Sequence, residues 1–232
     1  MFALYTGSKS GQNSAALTLV EVLMAMAVAS AIGVSVGIPL TLSHRSTRLT
    51  RCRANLQQVN QAVLLFAADH NQTLPGSQEG QSGELQWWYK EQVKGYAGIK
   101  GASSANDQVF ACPEDRGYTD SRPFHQTARF DFGSYNFNGV VLPGAPNVAG
   151  WPISDVTEPK RTLLTMEWTA HGPLSWHRSR TGMANRPFYC DAESVVGFAN
   201  GRVDFIKIYH DGLNAAYTRD PIPGYKYKYS GD

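Results

Sequence analysis

Ala16-Leu17-Thr18-Leu19-Val20-Glu21, followed by a run from Val22 to Ser43 without a single charged residue, is the stretch on which the reading of this chain turns. A helix of about 20 apolar residues crosses a bilayer's hydrocarbon core, so the run predicts one membrane span. An ordinary cleaved secretory signal fits less well. The run outlasts the usual h-region of about 7–15 residues, and no small-x-small cleavage site follows it before the polar sequence begins. Glu21 places one carboxylate just inside an otherwise apolar helix, which costs up to about 3 kcal/mol at mid-membrane and less near an end. Such a group calls for a partner. A cut after Ala16 would give Leu17 a free α-amino group, which Glu21 of a neighbouring chain could neutralise.

C-terminal to the run, Leu49, Cys52, Leu56, Val59, Val63 and Phe66 recur at spacings of three and four. That period predicts an amphipathic second half of the same helix, its apolar stripe packed on a globular head. Arg45, Arg48, Arg51 and Arg53 would stay largely solvated close to the membrane. From Leu17 to about His70 the helix would span roughly 80 Å at 1.5 Å per residue. Pro39, with Gly33 and Gly37 nearby, is expected to kink or locally melt it. Residues 76–83, Gly-Ser-Gln-Glu-Gly-Gln-Ser-Gly, read as a loop between helix and head.

The head reads mainly as β. Thr162 to Trp168 and Ser194 to Phe198 are rich in strand formers. Asn200-Gly201 ahead of Arg202 to Tyr209 signals a tight hairpin of type I′. The expected fold is therefore α+β: a long N-terminal helix packed on a C-terminal antiparallel sheet. The 232 residues divide into a leader (1–16), a transmembrane and amphipathic helix (17–70) and a β-rich head (71–232). A formal net charge of +2, with charged residues spread along the chain, supplies no basic tract for nucleic acid.

The N-terminal stretch resembles the cleavage and methylation signal of type IV prepilins and type II secretion pseudopilins: a small residue, the cut, an apolar residue, then Thr-Leu-x-Glu. The chain departs from that pattern in having Ala16 where Gly is usual and Leu17 where Phe is usual. The resemblance implies a type IV pilin-like fold, cleavage between Ala16 and Leu17 by a prepilin peptidase, and Glu21 as the assembly residue. It further implies a single-pass inner-membrane protein with an extracytoplasmic head, later part of a periplasmic or cell-surface filament. The implied partners are other pilin or pseudopilin subunits, membrane lipid, and an inner-membrane assembly platform driven by a cytoplasmic ATPase. Counting charges alone would put the four-Arg side in the cytoplasm; the outward head rests on the resemblance.

The rest of the chain is similar to a subgroup of prepilin-like proteins marked by a C-terminal His-x9-Asp-Gly signature. The landmarks are Asn55-Leu56-Gln57-Gln58, Phe66 to Asn71, Thr73-Leu74-Pro75, Val109 to Asp115, Gly133 to Gly139 and Thr162 to Glu167. Here Cys190 stands at the His position and Asn200-Gly201 at the Asp-Gly position, so the spacing survives and the chemistry does not. The three cysteines allow three pairings or buried free thiols. The resemblance favours Cys52 with Cys112, since both fall at family positions whereas Cys190 replaces a His.

No cofactor is expected. His171 and His177 with Cys190 or Asp191 match no zinc spacing. Calcium stays open, because Asp107, Glu114, Asp115 and Asp120 could supply oxygens although no loop spells out a ligand set. Trp87-Trp88-Tyr89 reads as core or as a contact patch. Tyr225-Lys226-Tyr227-Lys228-Tyr229 reads as a surface strand or mobile contact. An enzyme is not expected, for the chain has no Gly-x-Ser-x-Gly, His-Glu-x-x-His, phosphate loop or Cys-x-x-Cys. The alternative is a membrane-anchored extracytoplasmic binding module, or an enzyme built on Cys112 or Cys190 with a histidine.

Overall fold

The computed structural model describes residues 19–77, 85–118, 122–140, 142–171, 175–177, 192–209 and 220–232, the side chains of 29–45 and of Leu85 excepted. Ala16 and Leu17 lie outside the described residues, as do Asp120 and Cys190. The chain groups into two compact units, Met1–Arg45 and Ser46–Asp232. Helix α1 is assigned over Leu19–Asp69 and passes Pro39 without a break, so the expected local melting is not seen. A proline removes one N–H from the ladder, and the hydrogen bonds on either side suffice to carry the helix through. Most side chains of the uncharged run lie outside the described residues; among the described residues no helix is long and apolar enough to cross a membrane.

In the second unit the period of three and four does what the sequence implies. Cys52, Leu56, Val59, Val63 and Phe66 are buried, joined by Ala62 and Ala67, and Leu49 packs at the margin. Their counterpart is a sheet of four antiparallel strands in chain order, namely β1 (Tyr135–Phe137), β2 (Leu163–Glu167), β3 (Glu193–Phe198) and β4 (Val203–Lys207). The fold of the described residues is thus α+β.

Alternation along the strands divides the apolar residues between two faces. Leu164 and Val195 turn toward the helix stripe; Leu163, Met166, Val196 and Phe198 turn to the opposite face. A bulge between Leu163 and Thr165 breaks the period in β2. It brings Thr165 onto the helix side beside Leu164, and two residues later Glu167 follows it there. The far face is covered by Ile222, Tyr227 and Tyr229. The C-terminal tail is therefore core, not the surface strand or mobile contact its basic composition suggests: the Lys228 stem is buried with the two tyrosines while its ammonium pairs with Glu158 at 3.1 Å.

The hairpin between β3 and β4 also differs from expectation. Gly201 takes φ 88° whereas Asn200 is not left-handed, so the turn is not type I′. Phe198 N–H donates to Arg202 O and Gly201 N–H to Phe198 O, which makes Ala199-Asn200-Gly201 a three-residue connection with its glycine in the left-handed position. A second helix, α2 (Leu85–Val93), adds Trp87, Tyr89 and Val93 to the core. Trp87 meets Phe130 and Trp168 edge to face at 5.5 and 5.1 Å between ring centres, so Trp87 and Tyr89 of the aromatic triplet are core while Trp88 is half-buried.

Three amide side chains of α1 latch it to the head by donating to backbone carbonyls. Asn55 Nδ2 reaches Gln108 O and Ala111 O at 2.8 and 2.7 Å, Gln57 Nε2 reaches Gly201 O at 2.9 Å, and Asn60 Nδ2 reaches Phe198 O at 3.1 Å. Each donor satisfies an acceptor that packing removes from water, so these contacts fix the helix's register on the sheet as well as its proximity. Arg48 and Arg53 stay exposed as expected and still reach the head, Arg48 to Glu114 at 3.5 Å and Arg53 to Asp204 at 3.8 Å.

Candidate functional site

The chemistry-bearing side chains of the described residues gather where α1 meets the sheet. Cys52 comes from the helix stripe and Cys112 from the turn held by Asn55; the two are joined in a disulfide with Cα atoms 4.8 Å apart. Their sequence separation is 60. Glu167, carried onto the helix side by the bulge in β2, puts Oε1 3.3 Å from Cys112 Sγ and 2.7 Å from His177 Nε2. Its other oxygen accepts the Val195 N–H at 2.8 Å. The carboxylate of Glu167 is fully enclosed, and 4% of the His177 side chain is exposed. A buried carboxylate is costly unless each oxygen is satisfied, and here the histidine and the strand amide do so.

The Cys112 turn is itself clamped. Cys112 N–H donates to Ser134 Oγ at 3.0 Å, and that hydroxyl donates to Asp115 Oδ2 at 2.7 Å. Asp115 Oδ2 also accepts from His125 N and Nδ1 at 3.0 and 2.9 Å, while Oδ1 takes the Gly117 N–H at 2.9 Å. Tyr135 OH donates to Cys52 O at 3.2 Å from the neighbouring strand. His177 is held through its backbone, its N–H donating to Ser175 Oγ at 3.1 Å, and through an edge-on contact with the Phe205 ring.

The other residues singled out from the sequence stand elsewhere. Glu21 lies exposed in the first turn of α1, in the first compact unit. Asn200 and Gly201 form the hairpin turn. His171 does not join His177; its Nδ1 accepts from Asn136 Nδ2 at 2.8 Å. Of the acidic residues considered for calcium, Asp107 pairs with the buried Lys90 at 2.9 Å, Glu114 with Arg48, and Asp115 is taken up by its turn. Among the described residues the set that converges on a common point is Cys52, Cys112, Glu167 and His177. Sequence reasoning missed Glu167 and set His177 beside Cys190 or Asp191 rather than beside Cys52 and Cys112. The signal within reach was that Glu167 ends a run of strand formers otherwise suited to a buried strand.

Two further buried groups carry opposite pH signatures. Burial alone pulls the His171 pKa down from 6.5 to about 4. The Asp131 carboxyl is pushed up from 3.8 to about 7, chiefly by burial, with Lys90 drawing it back and Glu91 adding to the rise. Between those values for His171, the unfolded chain binds a proton that the folded one refuses, so stability is lost as pH falls. For Asp131 the folded chain keeps a proton that the unfolded one has released, so stability is lost as pH rises from about 4 to 7. The two slopes, each at most about 1.4 kcal/mol per pH unit, oppose one another. Asp131→Asn is expected to leave a stability that climbs with pH between about 4 and 6.5, and His171→Gln one that falls, in urea melts taken across that range.

Comparison of the chain with protein-family models, with curated proteins and with solved structures finds no match in any of the three.

Proposed function

We propose that the chain is a structural subunit of a type IV pilus-like or type II secretion pseudopilus filament. It is cut between Ala16 and Leu17 by a prepilin peptidase and assembled through its N-terminal helix. The observation that carries this reading is the stretch Ala16-Leu17-Thr18-Leu19-Val20-Glu21 leading into the uncharged run Val22–Ser43. A helix assigned over Leu19–Asp69, whose second half packs on an antiparallel sheet, agrees with it. In this account the helix resides in the inner membrane until assembly extracts it, and the apolar halves then bundle in the filament core with the heads outward. Glu21 neutralises the α-amine of a neighbouring subunit, in a setting where an unmatched charge is expensive.

Glu21→Ala tests the assembly role. Breaking a buried charge pair costs about 3–5 kcal/mol, so incorporation of the variant into sheared filaments is expected to fall at least a hundredfold while membrane insertion is retained. Wild-type incorporation of the variant would contradict the assembly role of Glu21; absence of the wild-type chain itself from sheared filaments would contradict the filament reading and favour an anchored binding module.

A further inference from the structure

The disulfide sits inside a set of donors that a covalent bond between two sulfurs does not require. A buried carboxylate oxygen and an imidazole nitrogen reach the same point from β2 and from the 175–177 segment, all four donor atoms lying within 4.8 Å of one another. Two thiolates, one imidazole and one carboxylate form the mixed sulfur, nitrogen and oxygen set that zinc accepts in tetrahedral geometry. Zinc bond lengths of about 2.0–2.3 Å imply tetrahedron edges of roughly 3.3–3.8 Å. The contact of Cys112 Sγ with Glu167 Oε1 is 3.3 Å, and that with His177 Nε2 is 4.0 Å. The two short edges are the sulfur–sulfur bond itself and the 2.7 Å approach of His177 to Glu167. A metal at the centre would replace both.

We propose that, once the Cys52–Cys112 bond is reduced, Cys52, Cys112, Glu167 and His177 form a closed zinc site, so that the joint between helix and sheet is held either by a disulfide or by the metal. A dithiol or phosphine reductant supplies two electrons and becomes oxidised. Two protons from water or the reductant convert the disulfide to two thiols. Zinc then displaces both thiol protons to solvent. The surroundings suit a ligand set: Val195 N–H holds Glu167 Oε2 and leaves Oε1 for the metal, and Ser134 Oγ fixes the backbone of Cys112. With Cys52, Cys112 and Glu167 fully enclosed and His177 nearly so, no coordination position faces solvent, which is the character of a structural zinc site. The proposal does not rest on the filament reading, for it uses residues of the second compact unit alone.

The test uses the full chain in detergent, reduced with a phosphine and desalted without oxygen, with cobalt(II) as a spectroscopic probe for zinc. The reduced protein is expected to take up one cobalt per chain with the intense visible bands of tetrahedral coordination and a sulfur-to-metal charge-transfer band. Zinc should abolish these bands stoichiometrically and raise the melting temperature of the reduced protein. The oxidised protein should show none of this. Glu167→Gln and His177→Gln, checked for native circular dichroism, should weaken cobalt binding at least tenfold while the charge-transfer band persists at high metal. Reduced protein that shows no tetrahedral cobalt spectrum would overturn the proposal. So would binding that both folded variants leave unchanged, which would mark a bare dithiol as the ligand. Should either variant fail to fold, the ligand-field bands of cobalt in the reduced wild-type protein still decide the coordination geometry, and their loss on adding zinc shows that both metals take the same site.

Discussion

Gly197→Ala is expected to destabilise the head by about 3–5 kcal/mol, because overpacking costs about 1–3 kcal/mol and each buried polar group left unpaired a similar amount. A β-carbon at this position would lie 2.5 Å from Asn60 Oδ1, 2.7 Å from Asn60 Cγ and 2.6 Å from Thr165 Oγ1. None of these can step aside without loss. Thr165 Oγ1 donates to Asn60 Oδ1 at 2.7 Å, and Asn60 Nδ2 donates to Phe198 O, so shifting the amide strands buried donors and acceptors on both helix and sheet. Asn60 and Thr165 are both fully buried. Removing the amide first should relieve the conflict. Asn60→Ala alone is expected to cost about 1–3 kcal/mol, and Gly197→Ala made in that background considerably less than on its own. Urea melts of the full chain in detergent, followed by tryptophan fluorescence, read the head, where all five tryptophans, Trp87, Trp88, Trp151, Trp168 and Trp176, reside. A Gly197→Ala midpoint equal to that of the wild type would contradict the close approach of helix and sheet.

Cys52→Ser should cost about 4 kcal/mol, the chain-entropy value for opening a loop of roughly 60 residues. The bond joins Cys52 on α1 to Cys112 in the turn that Asn55 also grips, so its loss loosens the same joint that the polar latches hold. Cys112→Ser and reduction of the wild-type protein without metal are expected to give the same loss, and combining the two substitutions no more than either alone. A midpoint unmoved by reductant would show that the cross-link contributes nothing to the fold.

The residues show why some of this could be read from the sequence and some could not. The helix stripe from Cys52 to Phe66 is a local period and survives folding unchanged. Strands β2, β3 and β4 are likewise signalled by runs of strand formers and a glycine turn. Helix α2 hides behind Trp-Trp-Tyr, whose intrinsic preference is for strands, and β1 is three residues long, too short to show a period. The burial of both sheet faces depends on a tail that returns from residue 220 onward, a contact no local window contains. The same reasoning covers the site. Cys52 and Cys112 came together through family resemblance, whereas Glu167 faces them because of a bulge between Leu163 and Thr165 that composition does not announce. His177 follows ten residues later in an irregular segment, so the four side chains have no motif spacing. The turn type failed for a local reason: Ala199 entered the connection, leaving positive φ to Gly201 alone.

The central claim is that this chain is a processed filament subunit, and intact mass spectrometry of the full chain expressed with and without a prepilin peptidase tests it most directly. The account predicts a peptidase-dependent loss of residues 1–16, with one methyl group added to the new α-amine of Leu17. An uncut chain in the presence of the peptidase, or a cut beyond the apolar run near Leu42, would contradict it.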